Sequence, residues 1–215
     1  MSKNYNEVSS QVAAVRTKDH TLAFYANLES VKLENFAELI SGRIKVGIND
    51  FSKGKGDASV YGYYNLDLKD VKYLYTRALY SNMPVPFEGR KIHGAYPIQE
   101  GPDRGMCRVF HITIKRNALR PDGQPSRSPW NITISNGVAQ AQSGGIEGTF
   151  FEKSGTFKQT AYVYMNLTDV DFLDCMDRLN TYIREYTRLS ADKLIPEGIK
   201  ALKEVYERSS YQASA

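Results

Sequence analysis

Residues 61–74 read YGYYNLDLKDVKYL, and residues 160–173 read TAYVYMNLTDVDFL. Aligned without a gap, the two stretches are identical at Tyr63/Tyr162, Leu68/Leu167, Asp70/Asp169, Val71/Val170 and Leu74/Leu173. Conservative pairs extend the match at Leu66/Met165, Asp67/Asn166 and Tyr73/Phe172. This internal repeat in a chain of 215 residues predicts two similar halves.

Each copy is predicted to be a strand that leads into a helix. Its first part is rich in aromatic and β-branched residues, and its second part has apolar residues at helical spacing. Asp67 and Asn166 are the predicted N-caps, with Asp70 and Asp169 three residues later in a variant of the capping box. These acidic residues therefore receive a structural role and not a catalytic one. The predicted buried stripes are Val71, Leu74, Ala78 and Leu79 in the first helix, and Val170, Leu173, Met176, Leu179, Ile183 and Tyr186 in the second.

The segments before the two copies match in kind. HTLAFYANLESVKL and SGRIKVGINDF precede the first copy, and RVFHITIKRN and SPWNITISNGVAQA precede the second. Each half is thus predicted to hold three or four strands followed by one helix. The predicted fold class is α+β, with two antiparallel sheets, each followed by a helix, an internal pseudo-twofold repeat, and a short C-terminal helix.

A single domain is predicted over residues 20–207, because neither half alone buries much apolar surface. The parts, in order, are a flexible N-terminal segment (1–19), the first half (20–80), an irregular connection rich in Pro and Gly (81–106), the second half (107–188), a C-terminal helix with Pro196 in its first turn (195–207) and a frayed tail (208–215).

Composition favours a protein of the cytoplasm. There is no apolar run of about 18 residues, which a membrane span would need, and no apolar core of a signal peptide near the N-terminus. Only two cysteines are present, which suggests a reducing compartment. A net charge of +4 permits a nucleic-acid partner, and 15 tyrosines supply rings suited to interfaces and to base stacking.

Catalytic signatures are missing from the sequence. It contains no phosphate-binding GxxxxGK[ST] loop, no dinucleotide-binding glycine fingerprint and no CxxC pair. Cys107 and His111 have a CxxxH spacing, but a metal site needs more ligands than these two. We therefore predict no enzyme activity, no catalytic residue, no metal site and no cofactor.

At the junctions YNLDLKDVKYL and YVYMNLTDVDFL, the chain resembles the Whirly family of single-stranded-DNA-binding proteins, and WNITISNGVAQ is similar to a family strand that ends in a polar turn. The same architecture occurs in the transcriptional positive cofactor four family and in kinetoplastid guide-RNA-binding proteins. The resemblance covers residues 20–188 without the connection. It implies sequence-tolerant binding of single strands by a homo-oligomer, such as a tetramer.

Side-chain alternation along strands sorts the residues into two faces. The small or apolar pairs Gly62/Ala161, Tyr64/Val163 and Leu66/Met165 are predicted to face the core, as is Trp130 with its neighbours Ile132 and Ile134. The opposite parity gives the predicted nucleic-acid-binding face, which consists of Tyr25, Arg43, Lys45, Tyr61, Tyr63, His111, Lys115, Tyr162 and Tyr164. Loops are predicted to add Lys53, Lys55, Arg116, Arg127, Lys153 and Lys158.

A face on which aromatic rings alternate with cations is suited to binding single-stranded nucleic acid, because unpaired bases stack on the rings while Lys and Arg neutralise phosphates. The sequence thus predicts a single-stranded nucleic-acid-binding protein, with DNA as the ligand and low sequence specificity, acting in replication, recombination or repair. Two alternatives stay open. One is an RNA-binding or guide-RNA-handling protein on the same fold, and the other is a protein–protein assembly or inhibitor module whose tyrosines cover a subunit interface.

Overall fold

The computed structural model describes residues 10–30 and 40–212, and these form an α+β fold with antiparallel sheets. Sheet A is a meander in which each strand pairs with the next along the chain. Its strands are β1 (Gln11–Arg16), β2 (His20–Ser30), β3 (Ile40–Asp50) and β4 (Val60–Asp67). Helix α1 (Leu68–Leu79) follows β4 directly, and a 3-10 turn (Gly56–Ala58) lies between β3 and β4.

Sheet B also has four antiparallel strands, in the spatial order β10-β7-β6-β5. They are β5 (Phe87–Ile92), β6 (Cys107–Arg116), β7 (Trp130–Ala139) and β10 (Lys158–Leu167). Between β7 and β10 the chain forms a small hairpin of β8 (Ala141–Ser143) and β9 (Phe150–Glu152). Helix α2 (Asp169–Gln212) follows β10. Neither described helix is long and apolar enough to cross a membrane.

The two sheets bury their inner faces in one core, and the predicted alternation is confirmed there. Tyr64 and Leu66 on β4 and Val163 and Met165 on β10 are buried, as is Trp130. Gly62 lets the sheets approach closely, since a Cβ at this position would lie 2.6 Å from Cγ2 of Val163. Trp130 stacks on Phe172 of α2, with ring centroids 4.0 Å apart, which fastens the second helix to sheet B.

Two strands lie where the sequence predicted irregular chain. Strand β1 falls within the predicted flexible segment 1–19, of which residues 1–9 lie outside the described residues. It is fixed by pairing with β2 across a short turn, as one strand of a hairpin. Strand β5 falls within the predicted connection 81–106, where it pairs with β6. Prolines and glycines around β5 hid its strand character.

The second helix differs from its prediction at both ends. No separate helix begins at 195, because α2 continues through Pro196 to Gln212, beyond the predicted start of the frayed tail. A proline inside a helix removes one backbone hydrogen bond, and here the helix continues on both sides of it. At the start of the helix, the Asp171 N–H donates to Oγ1 of Thr168 at 3.0 Å, so the cap is Thr168 and not Asn166. This shift leaves Val170 exposed, and the buried stripe begins at Phe172.

The first helix keeps its predicted cap but not its whole predicted stripe. The Asp67 N–H donates to Oδ2 of Asp70 at 3.0 Å, as in the predicted capping box. Val71, Leu74 and Ala78 are buried, whereas Leu79 at the helix end is exposed.

Candidate nucleic-acid interface

The outer face of sheet A gathers aromatic and basic side chains from three adjacent strands. In the strand register, Tyr25 of β2 lies opposite Lys45 of β3, and Lys45 lies opposite Asn65 of β4. The rings of Tyr61 and Tyr63 stack at 6.0 Å. The ammonium of Lys45 lies 4.6 Å from the Tyr63 ring centroid and 5.4 Å from that of Tyr61, so it is held over both rings by cation–π attraction.

One end of this face is a groove of about 450 Å³, which we call the basic groove. Its floor contains the small residues Ala23 and Gly47, and the tyrosine rings that line it are those of Tyr25 and Tyr61. The hydroxyl of Tyr61 reaches over Gly47, where a Cβ would lie only 2.5 Å from it. Burial raises the pKa of Tyr61, so the hydroxyl is a neutral hydrogen-bond donor at physiological pH.

Three cations line the basic groove: Arg16 and Lys18 at the β1–β2 turn, and Lys55 in the β3–β4 loop. None of the described residues that line it carries a carboxylate. A concave site bounded by rings and unopposed cations favours a ligand with flat apolar parts and negative charge.

At the opposite end of the face, a larger groove of about 870 Å³ separates sheet A from the hairpin. We call it the hairpin groove. Sheet A contributes Arg43, Asn65 and Asp67, the β5 region contributes residues 90–93, and the hairpin contributes residues 148–152 together with Ser154 and Gly155. Phe110 of β6 completes the lining.

The predicted contact residues Arg116 and His111 are held by acidic residues at hydrogen-bond distance. The guanidinium of Arg116 donates two hydrogen bonds of 2.9 Å to the carboxylate of Asp169, which also accepts one of 2.7 Å from Nε1 of Trp130. The bond from Arg116 lowers the pKa of Asp169, since it stabilises the carboxylate. Nε2 of His111 lies 2.6 Å from Oε2 of Glu152. These contacts assign Arg116 and His111 to holding the fold together.

The other predicted residues of sheet B lie on the outer face of that sheet, where the ring of Tyr164 lies 6.2 Å from the ring of His20 at the start of β2. Tyr162 and Tyr164 are about half exposed on the edge strand β10, and their neighbours across β7 are Ser135 and Thr133. Lys115 is exposed on the same outer face. The predicted single face is therefore two faces, one on each sheet.

The remaining predicted cations are exposed in loops or at a strand end. Lys53 lies beside the basic groove in the β3–β4 loop, Arg127 lies between β6 and β7, and Lys153 follows the hairpin. Lys158 begins β10, where its ammonium lies 3.5 Å from Oδ1 of Asp103. Lys53 is two residues from Lys55 of the basic groove, and Lys153 lies between Glu152 and Ser154, which line the hairpin groove.

Sequence reasoning missed Arg16 and Lys18 because it placed them in a flexible segment. The signal that would have found them is the order QVAAVR, TKDH, TLAFYANL, in which a short polar stretch separates two β-prone runs, as in a hairpin. Arg90, Lys91 and His93 fall in the predicted irregular connection 81–106, and in the structure they line the hairpin groove.

The described residues contain no group of three His, Cys, Asp or Glu side chains that could hold a metal ion. Both cysteines are buried and free, and burial raises the pKa of Cys175 to about 12, which keeps it a thiol.

A scan against protein-family models, a search of curated proteins and a search of solved structures each found no match to this chain.

Proposed function

We propose that this protein binds single-stranded DNA with low sequence specificity on the outer face of sheet A, and acts in DNA replication, recombination or repair. The observation that carries the proposal is the basic groove, where Arg16, Lys18 and Lys55 stand around the rings of Tyr25 and Tyr61 without a lining carboxylate. Stacking on a ring contributes roughly 1–3 kcal/mol per base and tolerates every base. The cations would neutralise phosphates, which supplies affinity without sequence readout.

The proposal includes a Whirly-like fold with an internal pseudo-twofold repeat and a location in the cytoplasm. The strand order supports the repeat, since each four-stranded sheet follows chain order in its pairing and is followed by a helix. The buried pairs Tyr64/Val163 and Leu66/Met165 support it too, because they occupy aligned positions in the two copies. The two halves differ in two details. Only the second half has a hairpin before its last strand, β10, and the two helices have different caps.

The test is a titration of labelled oligo-dT, oligo-rU and duplex DNA by fluorescence anisotropy at several salt concentrations. We expect oligo-dT to bind more tightly than duplex, because a paired base cannot lay its face on a ring. We also expect affinity to fall steeply with salt, since each phosphate contact on a single strand contributes about 0.7 to the slope of log K against log salt. Absence of binding to all three at low salt would sink the proposal, and preference for oligo-rU would favour the RNA-binding alternative.

The outer face of sheet B supports a second candidate function, which is assembly with further copies of the chain. Tyr162 and Tyr164 are 50% and 47% exposed on the edge strand β10. Asn131, Thr133 and Ser135 lie opposite this part of β10 on the adjacent strand, and the ring of His20 lies 6.2 Å from that of Tyr164. Tyrosine rings beside hydroxyl and amide groups are typical of protein interfaces. On this reading sheet B joins the copies of a homo-oligomer, such as a tetramer, while sheet A binds the nucleic acid.

Replacing Tyr162 and Tyr164 together with alanine separates these roles. We expect the mass measured by light scattering to fall towards that of one chain, while oligo-dT affinity per chain changes by less than about twofold, because the basic groove lies on the other sheet. The matched control replaces Tyr80 and Tyr96, which are 75% and 79% exposed outside both sheets. An unchanged mass with weakened oligo-dT binding would assign these rings to the nucleic-acid site instead.

A further inference from the structure

The hairpin groove is a second built cavity, distinct from the basic groove at the other end of sheet A. Its volume of about 870 Å³ lies in the range of small-ligand sites, roughly 300–1,000 Å³. Three separate parts of the fold form its walls: the ends of β3 and β4, the end of β5, and the hairpin. Phe150 fixes the hairpin against the chain after β5, because its ring occupies the space that a Cβ on Gly94 would take.

Positive charge in this groove exceeds what its acidic residues neutralise. The carboxylate of Asp67 lies 2.7 Å from the ammonium of Lys91 and 4.0 Å from the guanidinium of Arg43. Glu152 is held by His111 at 2.6 Å. No ion pair within the described part of the chain includes Arg90, whose side chain lines the groove. The groove therefore offers one unengaged guanidinium beside an Arg–Lys pair that shares a single carboxylate.

The pKa of His93 is consistent with an excess of positive charge at the groove. His93 lines the groove, and its pKa is lowered by burial first and then by the charges of Arg43 and Arg108. The imidazole is therefore neutral at pH 7 and presents one N–H donor. A ligand with negative charge would find cations here that are not fully compensated.

Aromatic rings line the same groove. Phe110 packs between Tyr63, at 4.9 Å, and His93, at 5.0 Å, and links the groove to the tyrosines of sheet A. Phe151 also lines the groove and is 59% exposed, so part of its ring is accessible to a ligand. An exposed ring beside unengaged cations fits a single base that carries a phosphate.

The two grooves lie at different points along β4 of sheet A. Tyr61 borders the basic groove, and Asn65, four residues along β4, borders the hairpin groove, which makes their separation about 13 Å. We propose that the hairpin groove binds the end of a single strand through its terminal nucleotide, with a phosphate monoester on Arg90 and the base on Phe151. A monoester carries up to two negative charges at pH 7, whereas an internal phosphate carries one, so Arg90 would distinguish an end from the interior. This inference rests on the proposed function.

The test compares oligo-dT carrying a 5′-phosphate, a 3′-phosphate or hydroxyl groups at both ends, each labelled internally. We expect one phosphorylated form to bind about tenfold more tightly than the hydroxyl form, which is the gain that one charge-assisted hydrogen-bond pair supplies. Arg90→Gln is expected to reduce that ratio to about one while leaving the affinity for the hydroxyl form unchanged. The matched control, Lys115→Gln, removes an exposed charge from sheet B and is expected to keep the ratio.

Each outcome decides the proposal. Equal affinities for the three oligonucleotides would overturn it and leave the proposed function standing, because all three would still bind. A ratio that survives Arg90→Gln, or that falls equally in Lys115→Gln, would also overturn it, since the gain would then come from general attraction of charge. Failure of every oligonucleotide to bind would instead overturn the proposed function, on which the inference rests.

Discussion

Substituting Arg16, Lys18 and Lys55 together with glutamine is expected to weaken oligo-dT binding at 0.1 M salt by about 10- to 100-fold. These residues are the cations of the basic groove, so their loss removes three potential phosphate contacts. The slope of log K against log salt should become shallower by about 2, because each contact on a single strand contributes about 0.7. The measurement is anisotropy at four or more salt concentrations.

The matched control removes the same number of charges from the helices. Lys69 and Lys72 are exposed on α1 and Lys203 is exposed on α2, and none of them lines either groove. Replacing these three with glutamine should change affinity by less than about threefold, since the protein's net charge acts only weakly at a distance in salt. Equal losses in the two triple variants would show that net charge, and not the basic groove, drives binding.

Local alternation was enough to predict which side of each strand faces the core. Tyr64 and Leu66 are buried, while Tyr61 is exposed, because neighbours on a strand point to opposite sides and the apolar side must be covered. Trp130 was predicted to be core for the same reason and is fully buried. What alternation does not reveal is how the outer faces of the two predicted sheets lie relative to one another, so the residues predicted to form one binding face lie on two.

Long-range partners set the limit on predicting the candidate site. Arg116 looks like a free cation in the sequence, but its carboxylate partner Asp169 lies 53 residues later. His111 is likewise held by Glu152, which is 41 residues away on the hairpin. Conversely, Arg16 lies in the predicted flexible segment but lines the basic groove, because β1 pairs with β2. Sequence gives the charge of a side chain, whereas tertiary structure decides whether that charge is already neutralised.

Asp169→Ala is expected to lower the free energy of unfolding by about 2–3 kcal/mol. The carboxylate accepts hydrogen bonds from Arg116 and from Trp130, whose ring is fully buried, so its loss leaves a buried indole N–H and a guanidinium without their acceptor. The matched control is Asp70→Ala at the aligned position of the first copy. Asp70 accepts the Asp67 N–H in a capping box, so its loss should cost only about 1 kcal/mol. Urea unfolding followed by far-UV circular dichroism measures both.

Acidic pH supplies a second readout for the same pair of variants. The bond from Arg116 lowers the pKa of Asp169 below its usual 3.8, so the carboxylate stabilises the native state above the unfolded-state pKa. That stabilisation is lost as pH falls through the lowered native pKa, and the gap between wild type and Asp169→Ala should narrow below about pH 4. If Asp70→Ala and Asp169→Ala cost the same at pH 7, the bonds from Arg116 and Trp130 to Asp169 stabilise the fold no more than a capping box does. A larger cost at Asp169 would mean that its hydrogen bonds with Arg116 of β6 and Trp130 of β7 stabilise the packing of these two strands with α2.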